Sequence, residues 1–301
     1  MKLILYFFLS IVIISCKSKN TNSTDTSTSG SINISVDESF KPVIEEQLKM
    51  YKESYPETNI YANFKTEADC LKDLITDTSC RMVIITRGLT NKEENFFKDS
   101  LGYTPKWNII AKDAIAIIVN IKSSDTLYTL ERLKNLLIGS EKDKLIVFDG
   151  LNATSSYRFI KDSILKENSI DTNYVRAAKN NLEVIDYVSE NENAIGIIGV
   201  SWIGNPEDSS QLNMLTKVKI AAVKCSFCEP QIYVKPYQYN IDNNTYPLVR
   251  GLYYIAKENY SGLATGFSSF LKNERGQLIF RRSYLSPVMD FNVRDVKINI
   301  D

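Results

Sequence analysis

Apolar positions along this chain change period repeatedly, and each change marks an element. Ile32-Asn33-Ile34-Ser35-Val36 alternates with period two, as a half-buried strand does. Phe40, Val43, Ile44, Leu48 and Tyr51 follow at spacings of three and four, which places them on one helix face. The pattern then predicts a strand over Asn59–Phe64, a helix over Glu67–Thr76, a short buried strand over Met82–Ile85 and a polar helix over Asn91–Ser100. Trp107–Asn120 is a long apolar run centred on Ala114–Val119. Continuous apolar strands set between helices indicate parallel strands covered on both faces.

The same grammar then restarts. It predicts helices over Thr129–Leu137, Ser155–Leu165 and Leu182–Ser189, and strands over Leu145–Phe148, Ala194–Val200 and Lys217–Val223. Gly196 and Gly199 inside a strand point to close backbone approach, at a crossing or at a ligand. Leu248–Ala256 is extended, and helical stretches follow over Leu263–Asn273 and Gln277–Arg282. Two α/β units in series with a return segment fit two lobes joined by crossing strands. The boundaries read from the pattern are 31–118 plus 217–301 for lobe 1 and 119–216 for lobe 2.

The N-terminus has another character. One basic residue, Lys2, precedes an apolar stretch from Leu3 to Ile14, and Ile13-Ile14-Ser15-Cys16 closes it. A bilayer-spanning helix needs ~20 apolar residues, so this stretch reads instead as an export signal over 1–15. The pattern resembles a bacterial lipobox, in which Cys16 is lipidated and becomes the first residue of the mature chain; an ordinary signal peptide with a chance cysteine is the alternative. Lys17–Gly30 is almost all Ser, Thr, Asn and Lys, so 16–30 reads as an anchored flexible tether and folding is expected from about Ser31.

Composition narrows the chemistry. Lys and Arg number 36 against 36 Asp and Glu, which leaves no broad basic field and argues against nucleic acid as a partner. The chain has 0 histidines. That removes the usual general base, the Ser-His and Cys-His nucleophile pairs and the commonest metal ligand. Cys225-Ser-Phe-Cys228 precedes Glu229-Pro230 and an extended segment rather than opening a helix, so a local disulfide or idle thiols are expected in place of redox or zinc chemistry. No metal and no cofactor are expected.

Three turns at strand ends carry candidate chemistry, because ligands of doubly wound sheets sit beyond the carboxyl ends of strands and helix N-termini there suit oxyanions. The first is Asp37-Glu38-Ser39-Phe40, which simple helix capping would also explain. The second contains Thr86-Arg87-Gly88; Arg87 could fork onto an anion or form a surface ion pair with Glu93 or Glu94. The third runs from Asp149 through Asn152, Thr154, Ser155 and Ser156 to Arg158, with more hydroxyl and amide groups than one cap requires.

The order of these turns resembles the periplasmic phosphate-binding protein, the substrate-binding component of the ABC phosphate transporter. Ser39-Phe40, Ile84-Ile85-Thr86-Arg87-Gly88-Leu89, the crossing strand Ala111-Lys112-Asp113 to Asn120, the turn Asp149–Thr154, and Tyr246-Pro247-Leu248-Val249-Arg250-Gly251-Leu252-Tyr253 carry the likeness. It implies a two-lobed α/β fold of the periplasmic-binding-protein type, each lobe a doubly wound mixed sheet, joined by hinge strands and closing over an oxyanion. The implied binding set is Asp37, Glu38, Ser39, Phe40, Thr86, Arg87, Asn152, Thr154, Ser155, Ser156 and Arg158. An acid such as Asp37 or Glu38, aimed at the ligand's proton, would favour hydrogen phosphate over sulfate. The chain departs from the family at Lys65-Thr66-Glu67-Ala68-Asp69, where a glycine- and serine-rich turn is usual. It also lacks an arginine before the anion turn, where Val147-Phe148 stands, and Arg158 is the candidate substitute.

The expectation is therefore a lipid-anchored, monomeric, extracytoplasmic binding protein with no enzymatic activity, delivering phosphate or a similar oxyanion to an ABC permease. An envelope sensor or scaffold that lost transport is a second reading. A hydrolase of phosphorylated substrates, with Glu38 or Glu67 as base, is a third.

Overall fold

The computed structural model describes residues 25–291. Cys16, the signal and most of the tether lie outside the described residues. In chain order the elements are β1 (Gly30–Asp37), α1 (Lys41–Ser54), β2 (Thr58–Lys65), α2 (Glu67–Thr76), β3 (Cys80–Ile85), α3 (Asn91–Leu101), β4 (Lys106–Asn120), β5 (Leu127–Tyr128), α4 (Leu130–Leu137), β6 (Leu145–Phe148), α5 (Ser155–Ile160) and β7 (Val175–Ala177). They continue with α6 (Asn181–Glu190), β8 (Ala194–Gly199), α7 (Ser209–Met214), β9 (Val218–Ile220), β10 (Ala222–Lys224), β11 (Tyr233–Val234), α8 (Gln238–Asp242), β12 (Val249–Ala256), α9 (Leu263–Lys272), α10 (Glu274–Arg282) and β13 (Ser286–Pro287).

One mixed sheet runs β2-β1-β3-β12-β4-β8-β6-β7, and β5, β10 and β11 form a small second sheet. β1, β2 and β3 are parallel, as are β6, β7 and β8, whereas β4 and β12 run antiparallel to their neighbours. β4 explains how one sheet serves two hydrophobic cores. Its residues Lys106–Ala114 pair with β12 and Ile115–Val119 pair with β8. The first half lies with a core containing Ile34, Ile84, Phe267 and Phe280; the second half enters another containing Ile117, Phe148, Val184 and Ile197. A smaller cluster under α2 and α3 holds Leu74 and Phe97. β4 and β12 are thus the two strands that cross between the cores.

Three expectations change. The run Lys217–Val223 is not one strand: it breaks at Ala221, with β9 pairing to β4 and β10 to β5. Val218, Val223, Ile241, Tyr246 and Leu248 are buried in the second core, within the stretch 217–301 that the sequence pattern assigns to lobe 1. Their apolar period is the same in either core, and only tertiary pairing decides between them. The ordered chain also begins before Ser31. Asp25 is 3% exposed and its carboxylate accepts the Leu263 amide at 2.7 Å and the Tyr260 hydroxyl at 3.1 Å. α9 starts after Gly262, which has no side chain to cap it, so Asp25 takes the Leu263 amide from far away in sequence while Glu258 takes the amides of Ala264 and Thr265 at 3.1 and 2.8 Å.

Cys225 and Cys228 form a disulfide, while Cys70 and Cys80 are buried free thiols. Among the described residues, no helix is long and apolar enough to cross a membrane.

A buried polar cluster as candidate binding site

The loop after β1 supplies the first part of the site. Asp37 Oδ1 accepts the Ser39 amide at 3.0 Å and so caps the short turn Glu38–Phe40. Capping uses only that oxygen; Oδ2 is buried with no hydrogen-bond partner. Ser39 is fully buried, its carbonyl accepts Ser201 Oγ at 2.6 Å, and its hydroxyl stands 3.3 Å from Ser155 Oγ. Phe40 is also buried, with the Arg250 guanidinium 5.1 Å from its ring centre, a cation–π distance.

The strand crossing supplies the second part. Arg250 on β12 sits opposite Asp113 on β4, and its Nε donates to Asp113 Oδ2 at 2.7 Å. Nη1 donates to Ser155 Oγ at 3.0 Å, but Nη2 and Asp113 Oδ1 have no partner. Gly199 makes room for this guanidinium: a Cβ there would lie 3.2 Å from Nη2 and 3.3 Å from the Ser39 carbonyl oxygen. At Gly196 a Cβ would meet Ile118 and Val184, so its role is close packing of strand against helix. Both glycines mark close approaches, as their place in a strand implied.

The third part is the turn after β6. Asp149 Oδ2 accepts Ser156 Oγ at 3.1 Å and Asn181 Nδ2 at 3.2 Å. Asn181 Nδ2 also reaches Glu38 Oε2 at 2.5 Å, linking the first and third parts. Asp149 Oδ1 and Asn181 Oδ1 are buried and unpartnered. Thr154 is the N-cap of α5, and Ser155 and Ser156 at its start are fully buried.

A polar bridge closes one side. Arg158 on α5 donates from Nε to Glu67 Oε2 at 2.5 Å and from Nη2 to Thr86 Oγ1 at 2.5 Å. The Thr86 amide donates to Glu67 Oε1 at 2.9 Å, and the Ala68 amide donates to the Ala153 carbonyl at 3.1 Å. These contacts tie α2 and β3, which flank the first core, to α5 of the second.

Of the expected residues, Asp37, Glu38, Ser39, Phe40, Ser155 and Ser156 converge, with Thr154, Thr86 and Arg158 flanking them. Two do not. Arg87 is held in a two-pronged ion pair with Glu93, at 2.7 and 2.8 Å, because Glu93 is fixed as the third residue of a capping box on α3. Asn152 is exposed with φ 67°, a left-handed turn position that asparagine tolerates. Asp113, Asn181, Ser201 and Arg250 were missed. Asp113 and Arg250 stood in quoted motifs, but nothing local joins residues 137 apart in sequence.

Burial dominates the electrostatics. It pushes the Asp37 carboxyl up to about 7, with Glu67 adding to the rise and Arg250 opposing it. Burial likewise raises Glu38 to about 7, against its hydrogen bond from Asn181. It raises Asp149 and Asp113 too. Glu67 is the exception: burial disfavours its charge, but Arg158 and Thr86 together outweigh that and hold it below the usual carboxylate range.

A cavity of 540 Å³ lies elsewhere, lined in part by Met50, Trp202 and Met214. Of the charges that line it, Lys41 pairs with Glu45 and Arg282 with Glu207. The unpartnered buried donor and acceptors of the Asp37–Asp149–Arg250 cluster make that cluster the stronger candidate.

An α/β fold with two cores, strands crossing between them and a buried polar cluster beside the crossing defines a ligand-binding protein of the periplasmic-binding type. The PBP superfamily domain matches residues 21–275, and the chain belongs to that family. The phosphate-binding protein PstS of Pseudomonas aeruginosa is 24% identical over 244 residues, covering 74% of this chain and 71% of that protein. A phosphate ABC transporter substrate-binding protein of Clostridium perfringens, solved with bound phosphate, superposes with a TM-score of 0.70 at 21% identity, over 86% of this chain and 100% of that one. An ABC-type phosphate transport receptor of Vibrio cholerae gives 0.62 at 18% identity, over 85% and 99%.

Proposed function

We propose that this protein is a membrane-tethered, extracytoplasmic binding protein that captures phosphate, or a similar tetrahedral oxyanion, for an ABC-type permease. One observation carries the reading: a buried arginine with a free donor, Arg250 Nη2, stands among the hydroxyls of Ser39, Ser155 and Ser156 and the amide of Asn181. A bare anion is costly to strip of water, and such fixed donors replace that water. The binding set on this reading is Asp37, Glu38, Ser39, Asp149, Ser155, Ser156, Asn181 and Arg250. Phe40 supports the guanidinium, and Thr154 sets the turn.

The two cores act as lobes, Ile32–Ala111 with Leu252–Leu285 and Ala114–Leu248, hinged where β4 and β12 cross. Thr86, Glu67 and Arg158 latch them on closure. The protein carries out no chemistry on its cargo. Lipidation of Cys16 and a short Ser/Thr tether would keep it near its permease at high effective concentration.

Titration calorimetry of the purified protein with phosphate tests this. Saturable binding is expected, with a loss of at least tenfold in affinity in Ser155→Ala. No heat and no thermal shift with phosphate, arsenate, sulfate or molybdate would refute it.

A further inference from the structure

The charge inventory of the cluster does not balance for an anion. It holds five carboxyl groups, Asp37, Glu38, Glu67, Asp113 and Asp149, and two guanidinium groups. Both guanidinium groups already have a carboxylate at ion-pair distance, Asp113 at Arg250 and Glu67 at Arg158. Among the described residues, Asp37, Glu38 and Asp149 are in no ion pair; their partners are the Ser39 amide, serine hydroxyls and Asn181. An oxyanion arriving beside three ionised carboxylates that hold no ion pair would be repelled. Beside protonated carboxyls it would meet O–H donors, which form short charge-assisted bonds to anionic oxygens. Two buried oxygens without partners, Asp37 Oδ2 and Asp149 Oδ1, are the atoms that can carry such protons.

We propose that the site binds its oxyanion together with protons taken from solvent onto Asp37, Glu38 and Asp149, so that capture is favoured by acid. This rests on the oxyanion reading above. The groups facing these carboxyls support it. Glu67 and Cys70 of α2, Arg250 of β12, and Ser39 and Ser155 surround Asp37. Asn181 of α6, Asp149 and Lys41 of α1 face Glu38. Thr154, Ser156, Asn181 and Arg250 face Asp149. Burial holds Asp37 and Glu38 near 7, so both titrate in the range where the protein would work.

The test is calorimetry of phosphate binding from pH 5.5 to 8.5, in buffers of differing ionisation enthalpy, on the unaltered protein and on Asp37→Asn and Glu38→Gln. Each amide keeps an N–H donor where the carboxyl would have carried its proton. Net proton uptake is expected, with affinity falling about tenfold per pH unit for each proton linked. Each variant should take up fewer protons, bind phosphate more tightly than the parent at pH 8.5, and show a flatter pH profile. Uptake unchanged in both variants would place the proton on phosphate and overturn the proposal. Binding without net uptake would overturn it while leaving the oxyanion reading intact. Absence of phosphate binding at every pH would overturn both.

Discussion

The Arg250–Asp113 pair is the perturbation from which most can be learned. Arg250 is 4% exposed and Asp113 fully buried, and they meet at 2.7 Å where the strands cross. Arginine stays protonated in proteins, so Asp113→Asn leaves a buried cation facing a neutral amide. Removing one partner of a buried pair costs about 3–5 kcal/mol. Thermal melting reads this as a fall of roughly 6–20 °C, at 2–4 °C per kcal/mol for mid-sized proteins. The double variant Asp113→Leu with Arg250→Met removes both charges and should recover most of that loss, since apolar replacements of buried pairs are often neutral. It should not recover phosphate binding, because the free Nη2 donor is gone. The exposed pair Arg282–Glu207 is the control, and Glu207→Gln should leave the melting temperature unchanged. If Asp113→Asn melts within about 2 °C of the parent, Arg250 does not rely on Asp113 and the inferred buried pair is wrong.

Other outcomes follow from the same contacts. Asp37 binds its proton more tightly folded than unfolded, so deprotonation of the unfolded chain from about pH 4 upward favours unfolding. The ligand-free protein should therefore lose melting temperature as pH rises from 5 to 7.5, and Asp37→Asn should lose less. Glu67→Gln weakens the contact to Arg158 that joins the cores, and stopped-flow dissociation of phosphate should accelerate roughly tenfold, the equivalent of one charge-assisted hydrogen bond. Asp25→Ala removes the acceptor of the Leu263 amide at the start of α9, leaving Glu258 on the next two amides, and should cost about 1 kcal/mol in urea unfolding without changing phosphate affinity. An unaltered urea midpoint would mean that Asp25 is not docked.

The sequence made elements of both cores legible where each keeps one period. Glu67–Thr76 and Leu145–Phe148 begin and end where the apolar pattern says. The pattern failed where a continuous apolar run hides a change of partner: nothing in Lys217–Val223 announces that Ala221 divides two sheets. In the turn after β6, hydroxyls at a helix start are visible as a local excess, and Ser155 and Ser156 lie in the buried polar cluster. An arginine at a strand's carboxyl end is a good local cue for an anion, but the other partner legible in the sequence, Glu93, takes Arg87 because the Thr90–Glu93 capping box fixes that carboxylate. Arg250, Asp113 and Asn181 required the fold, since their meaning comes from what β12, β4 and α6 bring together.

A crystal structure of the protein grown with phosphate tests the central claim most directly. The account predicts one phosphate within hydrogen-bond distance of Arg250 Nη2 and of the Ser39 and Ser155 hydroxyls, with Asp37 Oδ2 or Asp149 Oδ1 against its oxygens. Phosphate seated at Arg87 instead, or a structure in which the cluster excludes it at saturating concentration, would contradict the account.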